Sequence, residues 1–152
     1  MASAIWVDAD ACPLVVRDIL LRAAERTGIQ ITFVANQAIR LPAGLSVRAV
    51  QVPPGFDVAD HYIAQRATAD DLVVTQDIPL ASEVVKAGAA ALSPRGERHT
   101  RESIGQRLAI RDLMSDLRDA GMVRGGPPPL NQADRQNFAN QLDKWLAQRR
   151  KD

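Results

Sequence analysis

Residues 4–13 read AIWVDADACP, and this stretch predicts the first strand, loop and helix start of an α/β fold. A short apolar run ends at Asp8, which predicts a buried strand that finishes at a carboxylate. Pro13 stands where a helix can begin, because its restricted φ suits the first helical turn. Apolar residues then recur with helical spacing as far as Ala24, and Gly28 can adopt the left-handed φ of a helix end. The stretch and its continuation therefore predict strand, loop and helix.

The same alternation continues through the first two thirds of the chain. Residues 29–35 and 47–52 are rich in β-branched or alternating apolar residues, which predicts two more strands. Residues 58–67 have the spacing of a short amphipathic helix, and residues 72–75 form an apolar run typical of a buried strand. A further helix and a fifth short strand at 89–92 follow. Strands that alternate with helices predict a parallel sheet.

The C-terminal third is predicted to be helical over about 103–149. Its first helix ends near Gly121, and its second is capped by Asn131. A stiff Gly-Gly-Pro-Pro-Pro connection at 125–129 separates them. We therefore expect residues 1–152 to form a single three-layer α/β domain, with a central, mainly parallel sheet of four to five strands and C-terminal helices.

Composition limits the classes of function. The chain is 46% hydrophobic and 24% charged, which argues against a disordered protein. Its formal charge of +1 predicts little attraction of the whole molecule to nucleic acid or membrane, so binding must come from local charge clusters. Cys12 is the only cysteine, which excludes an internal disulfide. With neither a signal peptide nor an apolar run of roughly 20 residues, we expect a cytoplasmic protein. The oligomeric state is not predicted.

Aspartates follow the predicted strands at positions that suit metal binding. Asp8 and Asp77 each come after a buried strand, and such strand ends meet at one edge of a parallel sheet. Asp57 and Asp60 share one face at a helix start. Clustered carboxylates repel one another unless a cation neutralises them, and Mg²⁺ and Mn²⁺ prefer oxygen ligands. We therefore predict a magnesium or manganese site formed by Asp8, Asp10, Asp60 and Asp77, with Asp57 as an additional candidate acid.

A purely structural interpretation of these acids stays open at this point. Asp10 and Asp77 stand just before predicted helices, where an aspartate can cap the free backbone N–H groups. Asp57 and Asp60 stand at a helix start, where a negative charge favours the helix dipole. Acids at strand ends commonly serve either as caps or as ligands.

Five short motifs resemble one known family. They are DADACP at 8–13, VAN at 34–36, GFDVAD at 55–60, TQDIPLA at 75–81 and PRGE at 94–97. Further matches at 111–118 and 134–138 extend the similarity into the C-terminal third. Together the motifs resemble the YaiI/YqxD family of bacterial proteins over nearly the whole chain.

The resemblance implies a fold similar to the PIN-like nucleases. In those proteins, acids at the end of the first strand, in a central helix and after a later strand bind magnesium or manganese. Asp8, Asp60 and Asp77 match these roles and are the implied catalytic residues. Asp10 belongs to the motif of the YaiI/YqxD family itself. Position 99 carries His where the family pattern suggests an aromatic residue, so His99 is assigned no role.

The densest basic stretch lies just after the predicted fifth strand. Guanidinium groups suit bidentate contacts with phosphate, so this stretch is a candidate surface for RNA or DNA. The alternative is a solvated helix face that neighbouring acids balance. Arg95 lies inside a family motif and is the predicted phosphate-binding residue. The stretch comprises Arg95, Arg98, Arg101, Arg107 and Arg111.

Two other polar residues are weaker candidates. Cys12 precedes a predicted helix, whose dipole would lower the pKa of a thiol and make it reactive. Since neither His nor Asn is placed convincingly beside it, we interpret Cys12 as a small buried side chain. His61 is interpreted as a surface helix residue in preference to a metal ligand.

Three functions remain open on the sequence. The first is a metal-dependent nuclease or phosphodiesterase that acts on RNA or DNA. The second is a haloacid-dehalogenase-type phosphatase with Asp8 as the phosphoryl acceptor and Asp10 as the acid, although the following Cys-Pro departs from that pattern. The third is a non-catalytic protein that binds nucleic acid or a nucleotide.

Overall fold

Six strands form one sheet in the computed structural model, which describes residues 2–126 and 128–149. The strands are β1 (Ala4–Asp8), β2 (Gln30–Ala35), β3 (Val47–Gln51), β4 (Leu72–Val74), β5 (Ala90–Leu92) and β6 (Arg98–His99). Across the sheet their order is β3-β2-β1-β4-β5-β6. All neighbouring pairs are parallel except β5 and β6. The mainly parallel α/β architecture predicted from the sequence is therefore confirmed.

Five α-helices cover the two faces of the sheet within the described ranges. They are α1 (Leu14–Thr27), α2 (Val58–Arg66), α3 (Ile78–Lys86), α4 (Arg101–Asp119) and α5 (Gln132–Gln148). Ile5 and Val7 of β1 pack with α1 and α5, whereas Trp6 faces α2, α3 and α4. Side chains alternate between faces along a strand, so β1 contributes to both cores. The arrangement is the expected three layers.

The element ends follow the local chemistry of the sequence. Gly28 ends α1 with a φ of 73°, and its N–H donates to the carbonyl of Ala24. Asn131 caps α5 by accepting a hydrogen bond from the N–H of Asp134. None of the helices in the described ranges is long and apolar enough to cross a membrane.

The prediction of four to five strands was wrong by one strand. Arg98 and His99 form a two-residue strand that pairs antiparallel with β5. A pair of polar residues has no recognisable strand period, so only the pairing with β5 reveals it. This added strand carries the chain from the end of β5 into α4.

A buried carboxylate ties together the starts of β1 and β4. Asp71 is only 5% exposed. Its Oδ1 accepts a hydrogen bond from the N–H of Ala4 at 2.9 Å. Its Oδ2 accepts from Trp6 Nε1 at 3.0 Å and from the N–H of Thr68 at 2.9 Å. Asp71 thus holds in place the two strands that deliver Asp8 and Asp77 at their opposite ends.

Candidate metal centre

The crevice between β1 and β4 lies at the switch point of the sheet. From β1, the chain adds β2 and β3 on one side, and then β4 and β5 on the other side. Ligands of open parallel sheets gather at such a point, beyond the carboxyl ends of the strands. Asp8 is the last residue of β1, and Asp77 precedes α3 after β4. Asp60 lies in the first turn of α2, with Asp57 just before that helix. The predicted acids therefore come from three separate chain segments.

Three of these carboxylates approach one another closely. One oxygen each from Asp57, Asp60 and Asp77 lies within 4.8 Å of the other two. Asp57 is exposed, while Asp60 and Asp77 are half-buried. Asp57 has a left-handed φ of 62°, and its side chain makes no capping hydrogen bond to α2. A cap therefore does not account for Asp57, which was only an additional candidate from the sequence.

Thr75 connects Asp8 to Asp77. Its Oγ1 donates to Asp8 Oδ2 at 2.9 Å and accepts from the backbone N–H of Asp77 at 2.9 Å. Thr75 is only 1% exposed, so both hydrogen bonds are shielded from water. Sequence analysis missed this role. The available signal was a hydroxyl at the end of an otherwise apolar strand, directly before the acidic motif.

Asp77 also caps α3, as the structural interpretation of the sequence held. Its Oδ1 accepts a hydrogen bond from the N–H of Leu80 at 2.8 Å. A carboxylate has two oxygens and several lone pairs, so one oxygen can cap the helix while the other faces the crevice. The capping interpretation and the metal-ligand prediction are therefore compatible for this residue.

Burial and neighbouring carboxylates raise the pKa of two acids at the site, Asp60 and Asp8. The pKa of Asp60 rises to about 7, first because of burial, then because of the charges of Asp77 and Asp8 and a hydrogen bond with Asp77. The pKa of Asp8 is also raised, mainly by burial; the hydrogen bond from Thr75 opposes this change, and the charges of Asp77 and Asp10 add to it. The cluster thus holds more negative charge than its surroundings stabilise.

Among the described residues, no arginine or lysine forms an ion pair with these carboxylates. In the part of the chain that the structure describes, the ion pairs are Arg26–Asp143, Arg95–Asp134 and Arg111–Asp112, and none includes a carboxylate of the cluster. Hard divalent cations bind carboxylate oxygens at sites with few protein ligands. The donor set therefore fits magnesium or manganese.

Asp10 stands beside the cluster. It lies in the 3₁₀ turn Ala9–Ala11 after β1, and its Oδ2 accepts from the N–H of Asn36 at 2.8 Å. It does not cap α1, whose N-cap residue is Pro13 and which has no side-chain cap. Asp10 holds the turn against the end of β2, and its role as a metal ligand stays a prediction.

Arg95 is engaged with the C-terminal part of the chain. Its Nη1 forms an ion pair with Asp134 Oδ2 at 2.7 Å, and its Nη2 donates to the carbonyl of Pro128. These contacts join the segment between β5 and β6 to the start of α5. Phosphate binding by Arg95 stays a prediction, and a phosphate would have to compete with Asp134.

Of the remaining candidates, Cys12 and His99 are buried and Arg111 has an ion-pair partner. Cys12 is buried, as interpreted from the sequence, and this burial raises the pKa of its thiol to about 12. His99 is buried, with Nδ1 2.7 Å from Arg107 Nη1, and burial followed by the Arg107 charge lowers its pKa. Arg111 pairs with Asp112 at 3.0 Å. His61 is exposed on α2 and lines the same crevice as the cluster.

The raised pKa of Asp60 predicts a pH-dependent stability in the absence of metal. The carboxyl holds its proton up to about pH 7 when folded, against an ordinary value of 3.8. The stability that this proton contributes is fully present below pH 3.8, the ordinary pKa of the carboxyl, and is lost as the pH rises through about 7. Asp60→Asn stays neutral, so in EDTA it should melt above wild type at about pH 8, with a smaller difference at about pH 5.

We expect a modest difference in Tm because Asp60 is half-buried and water screens its charge. About 1 kcal/mol at the higher pH corresponds to roughly 2–4 °C for a chain of this size. Differential scanning calorimetry across this pH range measures it. Asp143→Asn, which removes an exposed carboxylate, serves as the control and should follow wild type. An Asp60→Asn difference that is the same at every pH would contradict the assigned pKa.

The fold and the site define a class: an α/β domain with an unneutralised carboxylate cluster at the switch point of a mainly parallel sheet. The chain belongs to the YaiI/YqxD family of uncharacterised bacterial proteins, whose family model matches residues 6–148. It is 61% identical over 145 residues to a UPF0178 protein of Thioalkalivibrio sulfidiphilus, covering 95% of this chain and 99% of the relative.

Other relatives are nearly as similar. A UPF0178 protein of Proteus mirabilis is 58% identical over 147 residues, which is 97% of each chain. One of Yersinia pestis is 57% identical over 146 residues, which is 96% of each chain. No solved structure matches this chain. The family is thus identified over almost the full length, and its relatives' names carry no activity.

Proposed function

We propose that this protein is a divalent-metal-dependent phosphodiesterase that cleaves RNA or DNA. The observation that carries the proposal is the cluster of Asp57, Asp60 and Asp77 oxygens within 4.8 Å, to which no Arg or Lys of the described residues is paired. Repulsion among these carboxylates destabilises the metal-free fold, and a cation that binds there would stabilise it. Phosphodiesters of RNA or DNA suit such a site, because a bound divalent ion neutralises charge on the phosphate oxygens.

Asp60 and Asp77 of the cluster act in the proposal together with Asp8 and Thr75, which lie outside the group of three carboxylates. Asp8, Asp60 and Asp77 bind the ion, and Thr75 orients Asp8 and Asp77 through its two hydrogen bonds. A divalent ion held by these residues would supply an activated water and would neutralise charge on the phosphodiester. Asp60, whose pKa is about 7, releases its proton when it takes up the ion, so metal affinity should rise with pH near neutrality.

The finer parts of the assignment are proposals of the same kind. A PIN-like relationship is supported by the positions of the acids, at the end of β1, in α2 and after β4. A cytoplasmic location is supported by a lone, buried cysteine, which suits a reducing compartment.

Calorimetry and a cleavage assay together test the proposal. Metal-free protein should take up Mn²⁺ or Mg²⁺ and release protons on binding. With either ion it should cleave labelled single-stranded RNA or DNA, and EDTA should stop the reaction. If calorimetry detects no uptake of either ion, the proposal fails. If the ion binds but highly purified protein holds RNA and DNA without cleaving them, a binding protein replaces the nuclease.

A further inference from the structure

A second polar cavity lies on the opposite side of β1 from the carboxylate cluster. It has a volume of about 520 Å³ and opens near the carboxyl ends of β1 and β2. Asp10 lines it, so the cavity adjoins the turn that follows Asp8. Its polar and thiol-bearing lining consists of Asp10, Cys12, Arg17, Asn36, Gln37 and Arg40.

Arg17 is the unusual residue of this cavity. It lies in the first turn of α1 and is half-buried, and its Nε is buried without a hydrogen-bond partner. Arg17 forms no ion pair with any described residue. A partly desolvated cation without an anion costs free energy, and a helix start disfavours positive charge. The fold therefore gains nothing evident from an arginine here, whereas an anion in the cavity would compensate it.

Two further groups favour an anionic, hydrogen-bonding ligand. Arg40 is exposed on the segment after β2 and also lacks an ion pair with the described residues. Asn36 Oδ1 is buried and has no donor, so it could accept a hydrogen bond from a sugar hydroxyl of the ligand. The one carboxylate in the lining, Asp10, already accepts a hydrogen bond from the N–H of Asn36. Two cations against one carboxylate leave the lining positive.

We propose that this cavity binds a phosphate group of the nucleic acid strand, through Arg17 and Arg40, next to the phosphodiester that lies at the carboxylate cluster. Guanidinium groups bind phosphate oxygens in pairs, and a cavity of this size admits one phosphate with part of its sugar. The nature of the strand rests on the proposed function. Phosphate binding itself does not, because it requires neither a metal nor cleavage.

A binding assay in chelator isolates this cavity from the metal centre. The background carries Asp60→Asn and Asp77→Asn, which removes cleavage and reduces repulsion of the strand. Fluorescence anisotropy then measures the affinity for a labelled oligouridylate with a 5′-phosphate, a 3′-phosphate or neither. Arg17→Gln and Arg40→Gln should each weaken binding by about tenfold, whereas Arg22→Gln, an exposed arginine on the same helix, should change it less than about twofold.

The three oligonucleotides identify which phosphate is bound. If a terminal phosphate strengthens binding only when Arg17 is present, the cavity binds the end of a strand. If all three oligonucleotides bind equally, and both Arg17→Gln and Arg40→Gln weaken that binding, the cavity binds an internal phosphodiester. Equal effects of the Arg17, Arg40 and Arg22 substitutions would instead show a diffuse attraction and overturn the proposal.

Nuclear magnetic resonance of the unmodified chain provides a local measurement that folding defects in a variant do not affect. Inorganic phosphate and pyrophosphate should shift the Nε–H resonance of Arg17 and the side-chain amide of Asn36. Resonances that stay unchanged at saturating concentrations of both anions would overturn the proposal. Phosphate binding with no uptake of magnesium or manganese would leave this cavity established and refute the metal-dependent nuclease.

Discussion

Asp77→Asn is expected to lower metal-dependent cleavage by about 100-fold or more, because loss of a ligand should cost at least as much as loss of a residue that supports one. The substitution removes the charge that Asp77 brings to Asp57 and Asp60. Asparagine caps a helix as well as aspartate does, so the hydrogen bond to the N–H of Leu80 should persist. Steady-state cleavage of RNA or DNA and calorimetric titration with Mn²⁺ measure the two effects.

Two further variants separate the charge of Asp77 from its capping role. Asp77→Ala removes both and should also destabilise the chain by about 1 kcal/mol through loss of the cap. Asp143→Asn removes an exposed carboxylate that pairs with Arg26 at the end of α1, and should leave cleavage and metal binding at wild-type values. Full activity in Asp77→Asn would remove this residue from the mechanism and leave it as a helix cap.

Asp71→Ala is expected to reduce the free energy of unfolding by about 4 kcal/mol. Three donors point at this carboxylate: the N–H groups of Ala4 and Thr68 and the indole of Trp6. An alanine leaves these donors without acceptors in a site from which water is largely excluded. Hydrogen bonds to charged groups contribute about 1.5–3 kcal/mol each, and their losses in one network do not add fully. Urea denaturation measures the change.

The matched control for this prediction is Asp143→Ala, which should cost less than about 1 kcal/mol because an exposed ion pair contributes little. Asp71→Asn should cost an amount of unfolding free energy between those of Asp71→Ala and Asp143→Ala. Its amide keeps one acceptor oxygen, but its NH₂ group is itself a donor and would face the donors that already lie there. A loss below 1 kcal/mol in Asp71→Ala would show that other contacts hold β1 against β4.

Asp71 and Asp77 illustrate how the surroundings of an acid decide its role. Both flank β4, one before the strand and one after it. Asp71 accepts hydrogen bonds from three separate donors, so its negative charge is compensated within the fold. Asp77 has one capping donor and faces other carboxylates. The first is therefore a structural residue, and the second is available to a cation.

Asp60 and Asp77 of the cluster stood among the predicted metal ligands, whereas Asp57 was only an additional candidate, and the residues that support the acids were not predicted. Asp8, Asp60 and Asp77 were predicted because each follows a strand or opens a helix, and these positions depend on local pattern. Thr75 and Arg17 were missed, since their significance lies in contacts with residues far along the chain or in the lack of such contacts. Spacing within a segment carries no information on an unpaired cation in a cavity.

Local patterns along the chain were enough to predict the βα alternation, the helix boundaries at Gly28 and Asn131, and the acids that follow strands, because turns, caps and periodicity act over a few neighbouring residues. Only the tertiary structure decided which acids come within a few ångströms of one another, which one is compensated by buried donors, and where an arginine lacks an anion. Those outcomes depend on the order and register of the strands, which bring together segments about seventy residues apart.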